Sequence, residues 1–174
     1  SFPTRRSSDL DAMKQWQVPG LAIAVVRDGE VTMLRGYGRC EVGGEQPVTA
    51  QTLFAIGSCT KAFTAVTIGH MVDEGKLRWD DPVRKHVPDF ALFDPFLTRE
   101  VTIRDLLAHR TGLELANLLW SSNKFTPDEI MPRLRHVQPA RSFRSGFHYN
   151  NLTYLVAGRI VEKNSGQTWR QAVQ

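Results

Sequence analysis

The chain has 174 residues, enough for one domain of ordinary size. With 22 Lys and Arg against 18 Asp and Glu, a net charge of +4 and 41% hydrophobic residues, it is neither disordered nor low-complexity, and two cysteines (Cys40 and Cys59) do not make a disulfide scaffold. No apolar run reaches the roughly 18 residues of a transmembrane helix, and the basic residues alternate with acids, which describes a solvated surface and not a nucleic-acid face.

Residues 1–10 carry no Met and no apolar h-region, so they do not read as a signal peptide. Their sequence, Ser1-Phe2-Pro3-Thr4-Arg5-Arg6-Ser7-Ser8-Asp9-Leu10, matches one reading frame of a common short-read sequencing adapter. They are expected to be an artefact and are set aside from the fold. The domain reading therefore assigns 11–57 to the N-terminal part of an α/β domain and 58–174 to a nucleophile helix and a helical region. Asp11 to Trp16 reads as the tail of an amphipathic helix stopped at Val18-Pro19-Gly20. Two apolar runs, Leu21 to Val26 and Val31 to Tyr37, flank Arg27-Asp28-Gly29-Glu30. Asp-Gly between such runs predicts an antiparallel hairpin. Gly36, Gly38, Gly43 and Gly44 are expected to mark turns.

Ala62, Phe63, Ala65, Val66, Ile68, Gly69 and Val72 recur at spacings of three and four, predicting a helix that ends at Gly75. It is apolar around much of its circumference, so burial is expected. Residues 80–89 read as a turn-rich connection. Thr102-Ile103-Arg104-Asp105 predicts a capping box opening a short helix to about His109. Thr126-Pro127-Asp128-Glu129 predicts another helix start, which Pro132 should kink or end early. A longer helix is expected over Leu152 to Glu162, closed at Ser165-Gly166. Thr168-Trp169-Arg170-Gln171 then opens a last one, expected to be marginal with so little left to pack. The order is two strands followed by helices. A lone hairpin cannot complete a sheet, so further strands are expected from beyond Gln174 or from another chain.

Ser58-Cys59-Thr60-Lys61 places a hydroxyl and an amine on one helical face. A serine is a weak nucleophile until a base takes its proton. Lys61 can be that base only when neutral, and the helix N-terminus would stabilise an oxyanion near Ser58. The pattern alone is weak: nine Ser and six Lys give about 0.3 chance matches. An ordinary capping serine with a snorkelling lysine explains it equally well. A second copy, Ser121-Ser122-Asn123-Lys124, is expected in a solvated loop. Further on, Tyr149 and Asn151 precede the last long helix. A phenol near a cation can relay a proton, and a carboxamide can orient a lysine or bind a substrate carbonyl. The plainer alternative is a half-buried Tyr and an Asn that caps the helix.

Gly57-Ser58-Cys59-Thr60-Lys61-Ala62-Phe63-Thr64, Asp105-Leu106-Leu107-Ala108-His109-Arg110-Thr111-Gly112-Leu113 and Tyr149-Asn150-Asn151-Leu152-Thr153-Tyr154 occur in this order. Together they resemble the serine β-lactamase-related hydrolases, the class C β-lactamase and D-Ala-D-Ala carboxypeptidase-like superfamily, over essentially residues 11–174. The resemblance implies an α/β (α+β) fold of the β-lactamase/transpeptidase type, an antiparallel sheet flanked by helices with an inserted helical region. It also implies that Ser58 is acylated, that Lys61 and Tyr149 handle its proton, and that Asn151 binds substrate. His109 resembles the family's structural histidine, and His148 is expected in packing or at the surface. The family's third motif, Lys/His-x-Gly on a late strand, is not found by Gln174, so the chain is expected to be an inactive N-terminal fragment.

The implied partner is a small-molecule or peptide substrate: a β-lactam, a D-amino-acid peptide or a small ester. The rival is a non-catalytic penicillin-binding-like relative that binds peptide or cell-wall fragments. No cofactor is implied, and the five histidines form no metal-ligand spacing. A Cys40–Cys59 pairing stays open, as do the oligomeric state and the compartment, where a periplasmic or secreted location is compatible. Asn151-Leu152-Thr153 is a glycosylation sequon, but a cleft position argues against its use.

Overall fold

The computed structural model describes residues 10–122 and 124–174. Residues 1–9, and with them nearly all of the expected adapter sequence, lie outside the described residues. The chain forms two compact units, one ending at Ala55 and the other spanning Ile56–Gln174.

In the first unit, residues 10–15 are helical (α1). The predicted hairpin follows as β1 (Gly20–Arg27) and β2 (Glu30–Gly38), antiparallel, with Arg27 opposite Glu30. Asp28 and Gly29 both have positive φ, 52° and 81°. That is the type I′ turn, which matches the right-handed twist of the strands it joins. A bulge after Val25 shifts the register by one residue. Gly36 is not a turn residue, contrary to expectation: it lies inside β2, where a side chain would run into the Val48 carbonyl. Neither strand has a fully buried residue, and Val26, Val31 and Leu34 are exposed.

The second unit holds the hydrophobic core. A 3-10 turn, Gly57–Cys59, runs into α2 (Thr60–Asp73), followed by α3 (Val83–His86), α4 (Pro95–Glu100), α5 (Ile103–Leu107), α6 (Asn117–Ser121) and α7 (Pro127–Ile130). A second 3-10 segment, Met131–His136, precedes α8 (Asn151–Ser165) and α9 (Trp169–Ala172). Helix α8 is the central element and packs against α2, α3, α5 and α9. Its Leu152, Val156, Ala157, Ile160 and Val161 are buried, which is one face at helical spacing. Gly166, left-handed at φ 70°, closes it.

Several helix starts are the predicted ones. Thr102, Thr126 and Thr168 each form a capping box with the residue three further on. Pro132 acts as expected: α7 ends at Ile130 and the chain continues as 3-10. The connection over 80–89 is more ordered than expected, since α3 buries Val83 there. Helices α4 and α6 were not expected, although Asp94 caps α4 by accepting from the Phe96 N–H. The stub α9 is better anchored than its length suggests: the Trp169 indole N–H donates to Thr64 Oγ1 at 3.1 Å. The main correction concerns α2. It buries only Thr64, Ile68 and Met71, while Phe63 and Val66 are 53% and 71% exposed. Periodicity locates apolar residues on a helix, but not the neighbours that cover them.

Two buried carboxylates tie the helices together. Asp105 accepts from Thr102, Arg110 and Arg144. Asp81 accepts from Lys85, from His86 and from the Arg78 N–H. Burial would raise the Asp81 carboxyl, but these hydrogen bonds outweigh it and hold it at about 2, against an ordinary 3.8. Asp105 is lowered in the same way, with Arg144 and Thr102 overcoming burial. A folded pKa below the unfolded one stabilises the fold above the unfolded pKa, and that stability is lost as pH falls through the folded value. The Asp81 share, about 2 kcal/mol, is therefore expected to disappear between about pH 4 and pH 2. Urea unfolding at pH 6 and pH 2 checks this. Asp81→Asn should shrink the difference between the two pH values, and an unchanged difference contradicts the assignment.

Candidate active site

Side chains from two distant stretches of the second unit meet at the start of α2. Gly57 has φ 51°, so the backbone turns sharply through a left-handed residue before Ser58. Ser58 then lies in the 3-10 turn and Lys61 in the first turn of α2, three residues on and on the same face. The Ser58 Oγ is 2.6 Å from the Tyr149 Oη. The Lys61 Nζ donates to Ser58 Oγ at 3.1 Å and to Asn151 Oδ1 at 2.7 Å. It also lies 4.9 Å from the Tyr149 ring centroid and 5.3 Å from that of Tyr154, within cation–π range of both. All four residues singled out in the sequence are thus in one hydrogen-bonded cluster.

The plainer alternatives do not describe these residues. Ser58 is not a capping serine: Cys59 occupies the N-cap of α2 and makes no side-chain cap bond. Lys61 does not snorkel to solvent but points into the cluster. The cap of α8 is Asn150, whose Oδ1 accepts from the Leu152 N–H at 2.8 Å. This leaves the Asn151 side chain free for Lys61. The other Ser-x-x-Lys stretch differs. Ser121 ends α6, so that stretch is partly helical and not wholly a loop, and its hydroxyl donates to the Asn117 carbonyl.

Two more residues complete the arrangement: Asn150, which the sequence did not single out, and His109, which resembles the family's structural histidine. Asn150 is fully buried; its amide N–H2 donates to the Leu113 and Glu114 carbonyls, and its backbone N–H donates to His109 Nδ1. His109, buried, packs its ring 4.6 Å from that of Tyr149. The adjacent Asn150-Asn151 pair was the available signal, since one carboxamide is enough for a cap.

The electrostatics separate the two tyrosines. The Lys61 ammonium, with the Ser58 hydroxyl, holds the Tyr149 phenol below the usual tyrosine range. Burial, and then the charge of Tyr149, push Tyr154 up. Of the two tyrosines, the one in contact with Ser58 is thus the one whose ionisation is favoured. A cavity of about 350 Å³ opens next to Lys61 and Tyr154, floored by Leu155, Met131 and Trp169. A larger one of about 650 Å³, around Glu114, Leu119, Arg133 and His136, is lined by none of the four clustered residues. Cys40 and Cys59 are both free and exposed.

The beta-lactamase family profile matches residues 10–174. The chain belongs to the beta-lactamase family. It is 35% identical over 173 residues to the unguisins hydrolase ungD of Aspergillus violaceofuscus, covering 94% of this chain and 30% of that protein. The octameric penicillin-binding protein homologue from Pyrococcus abyssi superposes with a TM-score of 0.77 at 31% identity, over 97% of this chain and 40% of its own. The D-amino acid amidase from Ochrobactrum anthropi SV3, in complex with L-phenylalanine, superposes with a TM-score of 0.78 at 29% identity, over 95% and 46%. The fold is of the β-lactamase/transpeptidase type. The chain spans between 30% and 46% of the length of these relatives.

Proposed function

We propose that the full-length protein is a serine hydrolase that cleaves amide or ester bonds through an acyl-enzyme on Ser58. The observation that carries this reading is the 2.6 Å contact between Ser58 Oγ and Tyr149 Oη, with Lys61 bonded to both Ser58 and Asn151. Tyr149, as phenolate beside the Lys61 ammonium, takes the Ser58 proton while Oγ attacks the substrate carbonyl carbon. The carbonyl oxygen becomes the oxyanion of a tetrahedral intermediate. Its collapse breaks the C–N or C–O bond, and the leaving group takes the proton from Tyr149. Water then repeats the sequence on the acyl-enzyme, its proton passing to Tyr149 and returning to Ser58. Lys61 contributes charge: it favours the phenolate and donates to Ser58 and Asn151 throughout. Asn151 orients Lys61 and presents its remaining amide hydrogens to the substrate.

The substrate in this reading is a β-lactam, a D-amino-acid peptide or a small ester. The name of the Ochrobactrum relative, a D-amino acid amidase, supports the amide side of that range, and that of the Aspergillus relative supports hydrolysis. In this reading residues 1–174 hold the nucleophile and its proton acceptor but not the family's Lys/His-x-Gly triplet, and this stretch by itself is expected to show no turnover. The alternative is a non-catalytic binder with the same cleft. Turnover separates the two. The full-length protein is offered a chromogenic cephalosporin, a D-alanyl-D-alanine peptide and a p-nitrophenyl ester. A hydrolase turns over at least one of them many times per site, whereas saturable binding with no product establishes the binder.

A further inference from the structure

We infer that His109 is a positioning residue of this cluster: its neutral imidazole clamps Tyr149 against Ser58, and protonating that imidazole releases the clamp. The inference rests on the Ser58 reading above and adds to it a pH-dependent element.

His109 ties down the chain on both sides of Tyr149. Its carbonyl accepts from the His148 N–H at 2.8 Å, and its Nδ1 accepts from the Asn150 N–H at 3.1 Å. Between those two anchors, its ring packs 4.6 Å from the Tyr149 ring at an interplanar angle of 37°. Tyr154 flanks the imidazole at 5.2 Å and Phe147 meets it edge-on at 5.3 Å. The phenol is thereby held by the backbone and by its face. His109 makes both anchors from a left-handed backbone, at φ 55°. This conformation is uncommon outside glycine, and His is among the residues that tolerate it better.

The tautomer follows from the bonding. A ring nitrogen that accepts an N–H carries no proton, so the proton of His109 is on Nε2. Imidazolium donates from both nitrogens. It cannot accept from Asn150, and the buried N–H would lose its partner. The charged and titratable groups around the ring point the same way. Lys61 approaches from α2 as a cation, Tyr149 and Tyr154 are phenols, and the neighbouring Arg110 is engaged by Asp105. Burial and the Lys61 charge both hold His109 below the usual histidine range.

The test measures how fast Ser58 of the full-length protein is labelled by a fluorophosphonate from pH 8 down to about pH 4, well below the usual histidine range. Protonation of Tyr149 and protonation of His109 both oppose labelling in the wild type. Below both, the rate falls about a hundredfold per pH unit, against about tenfold for one proton. His109→Asn keeps an acceptor and tolerates the left-handed backbone but does not titrate. Its rate should stay within about tenfold of wild type at pH 8, and its acid limb should keep the one-proton slope throughout. His109→Phe keeps a ring without the acceptor and should be the slower variant at pH 8. A His109→Asn profile as steep as wild type overturns the inference. Nitrogen NMR of the wild-type imidazole gives an answer independent of the variants. Nε2–H with a bare Nδ1 at pH 7 supports the clamp, and Nδ1–H or imidazolium overturns it. If the wild type is not labelled at all, the hydrolase reading fails, and the imidazole measurement still decides whether His109 holds Tyr149.

Discussion

Ser58→Ala is expected to lower the kcat/KM of the full-length protein by about 10⁵-fold, leaving only what binding and oxyanion stabilisation supply. The reason is local. The two polar groups that converge on Ser58, the Tyr149 phenol and the Lys61 amine, both act on its Oγ. Without that oxygen there is no atom to acylate, and the pair has nothing to deprotonate. Ser58 makes no capping bond for α2, so its removal should cost little stability. The variant is therefore expected to unfold at the wild-type temperature while failing to turn over. Thermal unfolding and steady-state kinetics on the same preparation check both halves. Activity within tenfold of wild type would move the nucleophile elsewhere.

Lys61→Ala should cost about 10³-fold in acylation. Its ammonium favours the Tyr149 phenolate, and it links Ser58 to Asn151 at 3.1 and 2.7 Å. Both effects vanish together. The sign of the pH response identifies which matters. Since Lys61 holds the phenol down, its removal lets Tyr149 titrate at higher pH. The phenolate is the base, so the acid limb of the profile should move to alkaline pH and part of the loss should be recovered there. A uniform loss with no such movement would mean that Lys61 acts only by placement. Lys61→Arg should not rescue, because a planar, wider guanidinium cannot take the place of one ammonium that donates to both Ser58 and Asn151.

Much of the secondary structure is written locally. The hairpin is legible because Asp28 and Gly29 are residues that accept positive φ, and both adopt it. Three helices announce themselves by a threonine and a partner three residues on. Helix α6 gave no such sign: its N-cap is Ala116, left-handed and without a side-chain bond. Its capping signal is absent, and what ties it to the core is Leu119, which is only partly buried. The exposed face of α2 was misjudged for the opposite reason. Phe63 and Val66 satisfy the helical period, but burial depends on what lies against them.

The site divides the same way. Ser58 and Lys61 are linked by helical spacing and could be paired on sight. Tyr149 and Asn151 come from some 90 residues away; their residue types suggested a proton relay and a carboxamide, but only the resemblance of motif order tied them to Ser58 and Lys61. Nothing local shows that Asn150 caps α8 while Asn151 turns to Lys61. The helix boundary decides that, and a shift of one residue would exchange their roles. His109 was legible as a family position, while its clamp on either side of Tyr149 depends on contacts across about 40 residues.

The most direct measurement is the intact mass of the full-length protein after reaction with a fluorophosphonate, followed by peptide mapping. The account predicts one phosphonyl group per chain, carried on Ser58 and absent from Ser58→Ala. An adduct on any other residue, or undiminished labelling of Ser58→Ala, would contradict it.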